Sequence, residues 1–242
     1  MPVFALWSAP RTRSTVFFRS IAERGDLTVL HEPFCNLRDY GETDAGGWTF
    51  DSPRSLLAWL RDETQDMRVF LKDNPPTACV RDVLADRRFL AEARHAFLIR
   101  RPEEIAASSY ALHPGMSIGS IGLERLCEVQ AAVREAGGDA SVVIDSDDLV
   151  ARPEATMAAY CAAVRLPFNP QALTWEAGVA PVRTLACRRQ RQFRLRAARA
   201  RLPAHRRELL RASPVRRLPP AVLRAATRTA AGRHAVGARG YR

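Results

Sequence analysis

The sequence predicts an α/β fold, a doubly wound parallel sheet of about five strands with helices on both faces. The chain has 242 residues, 47% of them hydrophobic, which is enough to bury one substantial core. Five short apolar runs have the length of buried strands, and segments with a helical pattern separate them. Strands that alternate with helices favour a parallel sheet, in which ligands bind beyond the carboxyl ends of the strands.

Each predicted element has its own local signal. The apolar runs predict strands at 3–7, 27–30, 68–71, 95–99 and 141–144. The helix start signals are a serine cap or a proline in the first turn. They predict helices over 14–24, from Ser52, over about twelve residues after Pro75-Pro76, from Pro102, and over 153–163.

The net charge of +11 is concentrated at one end of the chain. Residues 1–182 contain 18 arginines, one lysine and 25 acidic residues, a formal charge of −6. Residues 183–242 contain 18 arginines and one acidic residue, a formal charge of +17. We therefore expect an α/β domain over 1–182, followed by an arginine-rich segment over 183–242 that is helical or partly disordered.

This charge distribution limits the partners of the chain. The acidic domain is not a general nucleic-acid binder, because such proteins carry a basic face of their own. Three explanations of the arginine-rich segment remain open: it binds an anionic partner or surface, it is a solvated tail, or it results from a change of reading frame in the gene.

The sequence also predicts a cellular location. No apolar run approaches the roughly eighteen residues of a membrane span, so we expect no integral membrane protein. The five cysteines are widely spaced and form neither a disulfide framework nor a CxxC metal pair. We therefore expect a cytoplasmic protein with no metal centre. Nothing in the sequence indicates the oligomeric state.

The loop after the first predicted strand has the composition of an anion-binding site. It precedes a helix, where backbone N–H groups and the hydroxyls of Thr12, Ser14 and Thr15 can bind an anion. Arg11 and Arg13 add guanidinium groups that suit phosphate or sulfate oxygens. The arrangement is P-loop-like but lacks the glycines and the lysine of a Walker A motif, which argues against an ATP- or GTP-dependent kinase. A plain strand-to-helix turn capped by Ser14 is the alternative.

A second candidate phosphate site follows the fourth predicted strand. Arg100 ends this strand, and Ser108 lies on the second to third turn of the next helix. Together they could hold one further phosphate. The alternative is a solvated arginine and a surface serine.

Together the two segments resemble the PAPS-dependent sulfotransferases. The first resembles the 5′-phosphosulfate loop of that family, P-[KR]-S-G-[ST]-T, at Pro10, Arg11, Ser14 and Thr15. Arg13 replaces the glycine of this motif, so the loop must avoid a left-handed conformation there or be strained.

The second segment resembles the 3′-phosphate motif of the family, R-x-P-x-[DE]-x-x-x-S, at Arg100, Pro102, Glu104 and Ser108. A later strand and helix start, over 142–154, also resemble these proteins, so the resemblance covers about residues 1–178. The Trp-His and Ser-Gly-Phe sequences that many members carry near the end of the domain are absent.

The resemblance implies PAPS as the co-substrate, PAP as the product and no metal. Arg11 would neutralise charge on the leaving phosphate oxygen. The 5′-phosphosulfate would be held by Thr12, Arg13, Ser14 and Thr15, and the 3′-phosphate by Arg100 and Ser108.

The resemblance also suggests a catalytic base. Carbohydrate-type members use a Glu before Pro at the end of the second strand, which Glu32 matches. The alternative is that Glu32 is a loop acid that only forms a salt bridge. Asp73 and His31 are the second and third candidates. Many cytosolic members place a His two residues after a Lys at the end of the third strand, but here Lys72 is followed by Asn74 at that position. Lys72 would contact the bridging oxygen or the acceptor, and the alternative is that it only caps the end of its strand.

Two functions follow as expectations. The first is a sulfotransferase that moves a sulfuryl group from PAPS to a hydroxyl or amine of a small-molecule acceptor. The alternative is a non-catalytic PAP-binding or nucleotide-binding regulatory protein, whose basic segment binds an anionic partner.

Overall fold

The computed structural model describes residues 3–64, 66–75, 77–112, 115, 121–138, 142–175 and 200–201. Its strands are β1 (Val3–Ser8), β2 (Thr28–His31), β3 (Thr43–Ala45), β4 (Trp48–Phe50), β5 (Val69–Asp73), β6 (Arg94–Ile99), β7 (Val142–Asp145), β8 (Thr174–Trp175) and β9 (Ala200–Arg201). Its α-helices are α1 (Ser14–Ala22), α2 (Pro33–Tyr40), α3 (Pro53–Asp62), α4 (Thr77–Ala85), α5 (Arg87–Glu92), α6 (Pro102–Tyr110), α7 (Leu123–Glu135), α8 (Ser146–Ala151) and α9 (Pro153–Ala163). A 3-10 helix covers Pro170–Leu173.

Five parallel strands form the central sheet, in the order β2-β5-β1-β6-β7. All five are strands that the sequence predicts. The chain leaves β1 for the β2 side of the sheet and later crosses to the β6 side. The order therefore reverses at β1, and ligands of doubly wound sheets bind beyond the carboxyl ends of the strands at such a reversal.

Alternate residues of β1 enter two separate cores, because successive side chains of a strand point to opposite faces. Val3, Ala5 and Trp7 pack in a cluster with residues of α3, α4, α5 and α7. Phe4 and Leu6 pack in another cluster with residues of α1, α8 and α9. Helices therefore cover both faces of the sheet, and the predicted doubly wound α/β class is confirmed.

Some elements were not predicted from the sequence. The helical residues after Pro75-Pro76 form two helices, because Asp86 caps α5 by accepting a hydrogen bond from the Phe89 N–H. β3 and β4 form a hairpin around Gly46 and Gly47, both at positive φ. A Cβ at Gly46 would lie 2.3 Å from the ring of Trp59, so the turn packs where a side chain would not fit.

The arginine-rich segment expected over 183–242 lies outside the described residues, except for 200–201. There, β9 pairs with β8 in an antiparallel two-stranded sheet.

Candidate active site

The loop between β1 and α1 is tightly curled at the carboxyl edge of the sheet. Arg11 has φ 65° and Arg13 has φ 64°, the left-handed region that side chains other than glycine rarely adopt. Such strain costs roughly 1–3 kcal/mol per residue and is concentrated at functional sites. Arg13 therefore adopts the strained left-handed conformation, at the position where the motif that this loop resembles has glycine. Turns of this kind, ahead of a helix, direct backbone N–H groups toward an anion.

Side chains within the loop hold this conformation. Thr12 is fully buried, and its hydroxyl donates to the carbonyl of Ala9 over 2.8 Å. Ser14 is the first residue of α1 and is buried, whereas Thr15 is exposed. The described loop therefore presents Thr15 to solvent and uses Thr12 internally.

Arg13 points away from the loop, toward the end of β7. Its guanidinium donates to the carboxylate of Asp147 over 2.7 Å and to the carbonyl of Ser146 over 3.1 Å. The contribution of this arginine to anion binding would come from its backbone, because its side chain ties the loop to α8.

The second predicted phosphate segment contacts the first directly. Arg100 Nη1 donates to the backbone carbonyl of Arg11 over 2.9 Å, and Arg11 Nε donates to the hydroxyl of Ser108 over 3.1 Å. Arg100 Nε also pairs with Glu104 over 2.9 Å. Arg11 is 89 positions from Arg100 and 97 positions from Ser108 in the sequence. The contacts among these three residues join the two segments in one continuous polar surface.

The surface carries an excess of positive charge. It comprises four guanidinium groups and two carboxylates, from Arg11, Arg13, Arg100, Arg101, Glu104 and Asp147. Arg11 donates to a neutral hydroxyl, whereas the other three arginines pair with the carboxylates. The Arg11 side chain is therefore the best available cation for an added anion.

Glu32 lies at a sharp bend between β2 and α2, and β5 separates β2 from β1 in the sheet. Its φ is 54° and its ψ is 47°, a third left-handed residue in the site. Its N–H donates to the carbonyl of Lys72 over 2.7 Å, and its own carbonyl accepts from Asn36 N–H. A strained strand-to-helix bend lifts one side chain above the sheet edge, as at the nucleophile of α/β-hydrolases.

The Glu32 carboxylate is held by two donors from the end of β5. Lys72 Nζ pairs with Oε1, and Asn74 Nδ2 donates to the same oxygen over 3.0 Å. The Lys72 side chain is 2% exposed and that of Glu32 is 27% exposed. Glu32 is therefore the member of this pair that solvent, or an acceptor, can reach.

Lys72 keeps Glu32 ionised. Burial by itself would raise the pKa of Glu32, but the charge of Lys72, the charges of His31 and Arg38 and the hydrogen bond from Lys72 together outweigh burial and hold the pKa below its ordinary value. At neutral pH Glu32 is an acceptor of protons, although the same ion pair weakens its basicity.

Asp73 is fully buried and occupied by backbone donors. Its Oδ2 accepts from Phe34 N–H over 2.6 Å, and its Oδ1 accepts from Asn74 N–H over 2.7 Å. Burial, followed by the charge of Glu32, raises the pKa of Asp73 to about 7. This side chain joins the end of β5 to the start of α2, which favours Glu32 over Asp73 as the group that meets a substrate.

His31 packs behind the bend against Phe18, with ring centroids 4.8 Å apart. Its Nε2 is buried without a hydrogen-bond partner among the described residues. Burial lowers the pKa of His31 to about 4, so the ring is neutral at physiological pH.

The family model for the sulfotransferase domain matches residues 1–187. The chain belongs to the sulfotransferase domain family.

Two solved sulfotransferase domains share its fold. The sulfotransferase domain from the Synechococcus PCC 7002 olefin synthase has a TM-score of 0.53 at 15% identity, covering 95% of this chain and 94% of that domain. The sulfotransferase domain from the curacin biosynthetic pathway has a TM-score of 0.50 at 11% identity, covering 95% of this chain and 98% of that domain. At these identities the likeness shows the fold alone.

Two curated relatives come from Arabidopsis thaliana. Branched-chain-amino-acid aminotransferase-like protein 2 is 29% identical over 189 residues, 75% of this chain and 33% of the relative. Branched-chain-amino-acid aminotransferase-like protein 1 is 30% identical over 188 residues, 72% of this chain and 32% of the relative. The sulfotransferase-family chain thus spans about a third of the length of these relatives.

Sequence reasoning did not assign a role to two residues of the sulfotransferase-family site. Ser8 is the last residue of β1 and is fully buried, and Asn74 follows β5. Ser8 Oγ donates to Asn74 Oδ1 over 2.8 Å. The available signal was their position, since each polar residue ends or follows an apolar strand at the edge where ligands bind.

The described part of the chain shows neither a metal site nor a membrane span. No group of three or more histidine, cysteine and acidic side chains there could hold a metal ion. None of the helices described is long and apolar enough to cross a membrane.

Proposed function

We propose that this sulfotransferase-family protein moves a sulfuryl group from PAPS to a hydroxyl or amine of a small-molecule acceptor. The observation that carries the proposal is the contact of Arg11 with Ser108 and of Arg100 with the Arg11 carbonyl. These contacts join the two candidate anion-binding segments into one surface, which supports a ligand with phosphates at both ends of its ribose.

The residues present suit such a donor. The N-terminus of α1 and the curled loop before it would hold the 5′-phosphosulfate, with Thr12, Arg13, Ser14 and Thr15 contributing backbone N–H groups and Thr15 a hydroxyl. Arg100 and Ser108 would hold the 3′-phosphate, for which Arg100 would exchange part of its pairing with Glu104.

PAPS supplies an activated sulfuryl group, whose sulfur is bonded to an oxygen of the 5′-phosphate. The acceptor oxygen or nitrogen forms a bond to sulfur as the bond from sulfur to that phosphate oxygen breaks. The electron pair stays on the phosphate oxygen, and Arg11 neutralises the charge that collects there. The proton of the acceptor passes to Glu32.

Lys72 has two parts in this proposal. Its Nζ contacts the Glu32 carboxylate, so it keeps the base ionised before the acceptor arrives. Because it lies at the end of β5, next to β1, it is also close in strand order to the loop that would hold the bridging oxygen.

A reducing compartment, the cytoplasm, is the proposed location, since Cys35, Cys79, Cys127 and Cys161 are free thiols.

A second candidate function is a PAP-binding regulatory protein without turnover. The observation that favours it is the lowered pKa of Glu32, which makes this carboxylate a weak base. Both candidates require the nucleotide site, and only the sulfotransferase transfers a group.

Acceptor-dependent release of PAP distinguishes the two functions. The purified chain is incubated with PAPS and a panel of alcohols, phenols, amines and sugars, and PAP is quantified by chromatography. Release that depends on an acceptor supports the sulfotransferase. PAP binding by calorimetry without release across the panel supports the regulatory protein, and absence of PAP binding contradicts both.

A further inference from the structure

A chain of hydrogen bonds crosses the carboxyl edge of the sheet from β1 to β2. Ser8 Oγ donates to Asn74 Oδ1 over 2.8 Å, and Asn74 Nδ2 donates to Glu32 Oε1 over 3.0 Å. Ser8 immediately precedes the curled loop, and Glu32 forms the strained bend. Asn74 therefore lies between the two parts of the site.

The chemistry of the partners fixes the orientation of the Asn74 amide. An ionised carboxylate accepts hydrogen bonds and donates none, so the side of the amide that faces Glu32 must be the NH₂ group. The carbonyl then faces Ser8, which must donate its hydroxyl proton. The backbone N–H of Asn74 donates to Asp73, so the residue is held at both ends.

Both donors on Glu32 end at the same oxygen. Lys72 Nζ and Asn74 Nδ2 contact Oε1, and Oε2 receives no hydrogen bond from the described residues. A carboxylate held in this way keeps its second oxygen for an incoming proton. The two donors also stabilise the ionised form over the protonated form.

We propose that Asn74 is a positioning residue for the catalytic base, oriented by Ser8, and that it directs Glu32 Oε2 toward the acceptor proton. The inference rests on the proposed sulfuryl transfer, in which Glu32 is the base. Asn74 acts through Glu32, so its removal changes the ionisation of Glu32 and the rate of transfer while donor binding stays unchanged.

The test uses Asn74→Ala, Asn74→Asp and Ser8→Ala in the full chain, with Asn169→Ala as the matched control. The side-chain oxygen of Asn169 accepts a hydrogen bond from Gln171 N–H, outside the site. Glu32 is titrated by NMR with ¹³C-labelled glutamate and assigned with Glu32→Gln. This readout requires no acceptor and no turnover.

We expect a graded series of Glu32 titration midpoints. Asn74→Ala raises the midpoint by roughly one pH unit, since a hydrogen bond to a charged group is lost. Asn74→Asp raises it further, because two adjacent carboxylates share a proton. Ser8→Ala raises it less than Asn74→Ala, and Asn169→Ala leaves it unchanged.

Transfer kinetics complete the test once an acceptor is known. Asn74→Ala lowers kcat about tenfold, shifts the acid limb of the pH–rate profile upward and leaves the KM for PAPS unchanged. A loss of packing alone would lower stability without this ordered shift.

Two outcomes separate failure of the inference from failure of the proposed function. Unchanged Glu32 midpoints in folded Asn74→Ala and Ser8→Ala overturn the positioning role even if the wild-type protein transfers sulfate. An ordered series of midpoints in a protein that binds no PAP overturns the sulfotransferase proposal, and with it the base that Asn74 would serve.

Discussion

Substitutions of Arg13, a residue with a strained backbone, measure how the loop contributes to the free energy of unfolding. Two effects oppose each other there. Its left-handed φ of 64° costs about 1 kcal/mol relative to glycine. Its contact with Asp147, between side chains that are 25% and 32% exposed, contributes about 0.5–1 kcal/mol at that partial exposure.

Arg13→Gly removes both effects, whereas Arg13→Ala removes the ion pair and keeps the strain. We therefore expect Arg13→Gly to match the wild-type protein within about 0.5 kcal/mol, and Arg13→Ala to be less stable by about 1 kcal/mol. For a chain of this size, that difference corresponds to roughly 2–4 °C in Tm. Urea titration followed by circular dichroism measures the free energy of unfolding.

The control is the same pair of substitutions at Arg81, an exposed residue within α4. In a right-handed helix, glycine is less stable than alanine by about 1 kcal/mol, so the sign must reverse. Arg165, with φ 55° after α9, should follow the sign of Arg13. If Arg13→Ala is as stable as Arg13→Gly, the left-handed strain is not a real cost and our explanation of the loop fails.

Three further predictions concern nucleotide binding, catalysis and pH. Arg100→Ala weakens PAP binding on the order of 10- to 100-fold and AMP binding much less, since AMP lacks the 3′-phosphate; equal losses by calorimetry would refute the assignment. Glu32→Gln leaves PAP binding intact and slows transfer on the order of 10²–10⁴-fold, and an unchanged rate would place the base elsewhere. Burial lowers the pKa of His95 from 6.5 to about 4. As the pH drops from 6.5 to 4, His95 is protonated in the unfolded chain but not in the folded protein, so the free energy of unfolding falls over this range. Urea titrations across this range should give His95→Gln a flatter dependence than the wild-type protein, and parallel curves would contradict the assignment.

The sequence predicted the sheet because its strands are locally encoded. Each is a short apolar run, and the two polar segments at Arg11 and Arg100 follow such runs directly. Parallel strands bring their carboxyl ends to one edge, so both segments were expected at that edge. That β1 and β6 are neighbours in the sheet is known only from the structure. The contact of Arg11 with Ser108 is the geometric result.

The pairing of individual side chains could not be predicted in this way. The Arg13 guanidinium binds Asp147, 134 positions away, and nothing local to Arg13 distinguishes this contact from anion binding. The hydrogen bond from Phe34 N–H to Asp73 depends on where α2 begins, and α2 itself was not predicted. Hydrogen bonds that join distant segments depend on tertiary packing, which short-range patterns do not specify.

The burial of Lys72 makes the chain unusual toward amine-reactive reagents. It is the sole lysine in 242 residues, and its side chain is 2% exposed against Glu32. A succinimidyl ester therefore finds no surface lysine on the folded protein, and acylation of a lysine side chain reports opening of the ion pair at the base of the site. One amine thus offers a residue-specific chemical reporter without engineering.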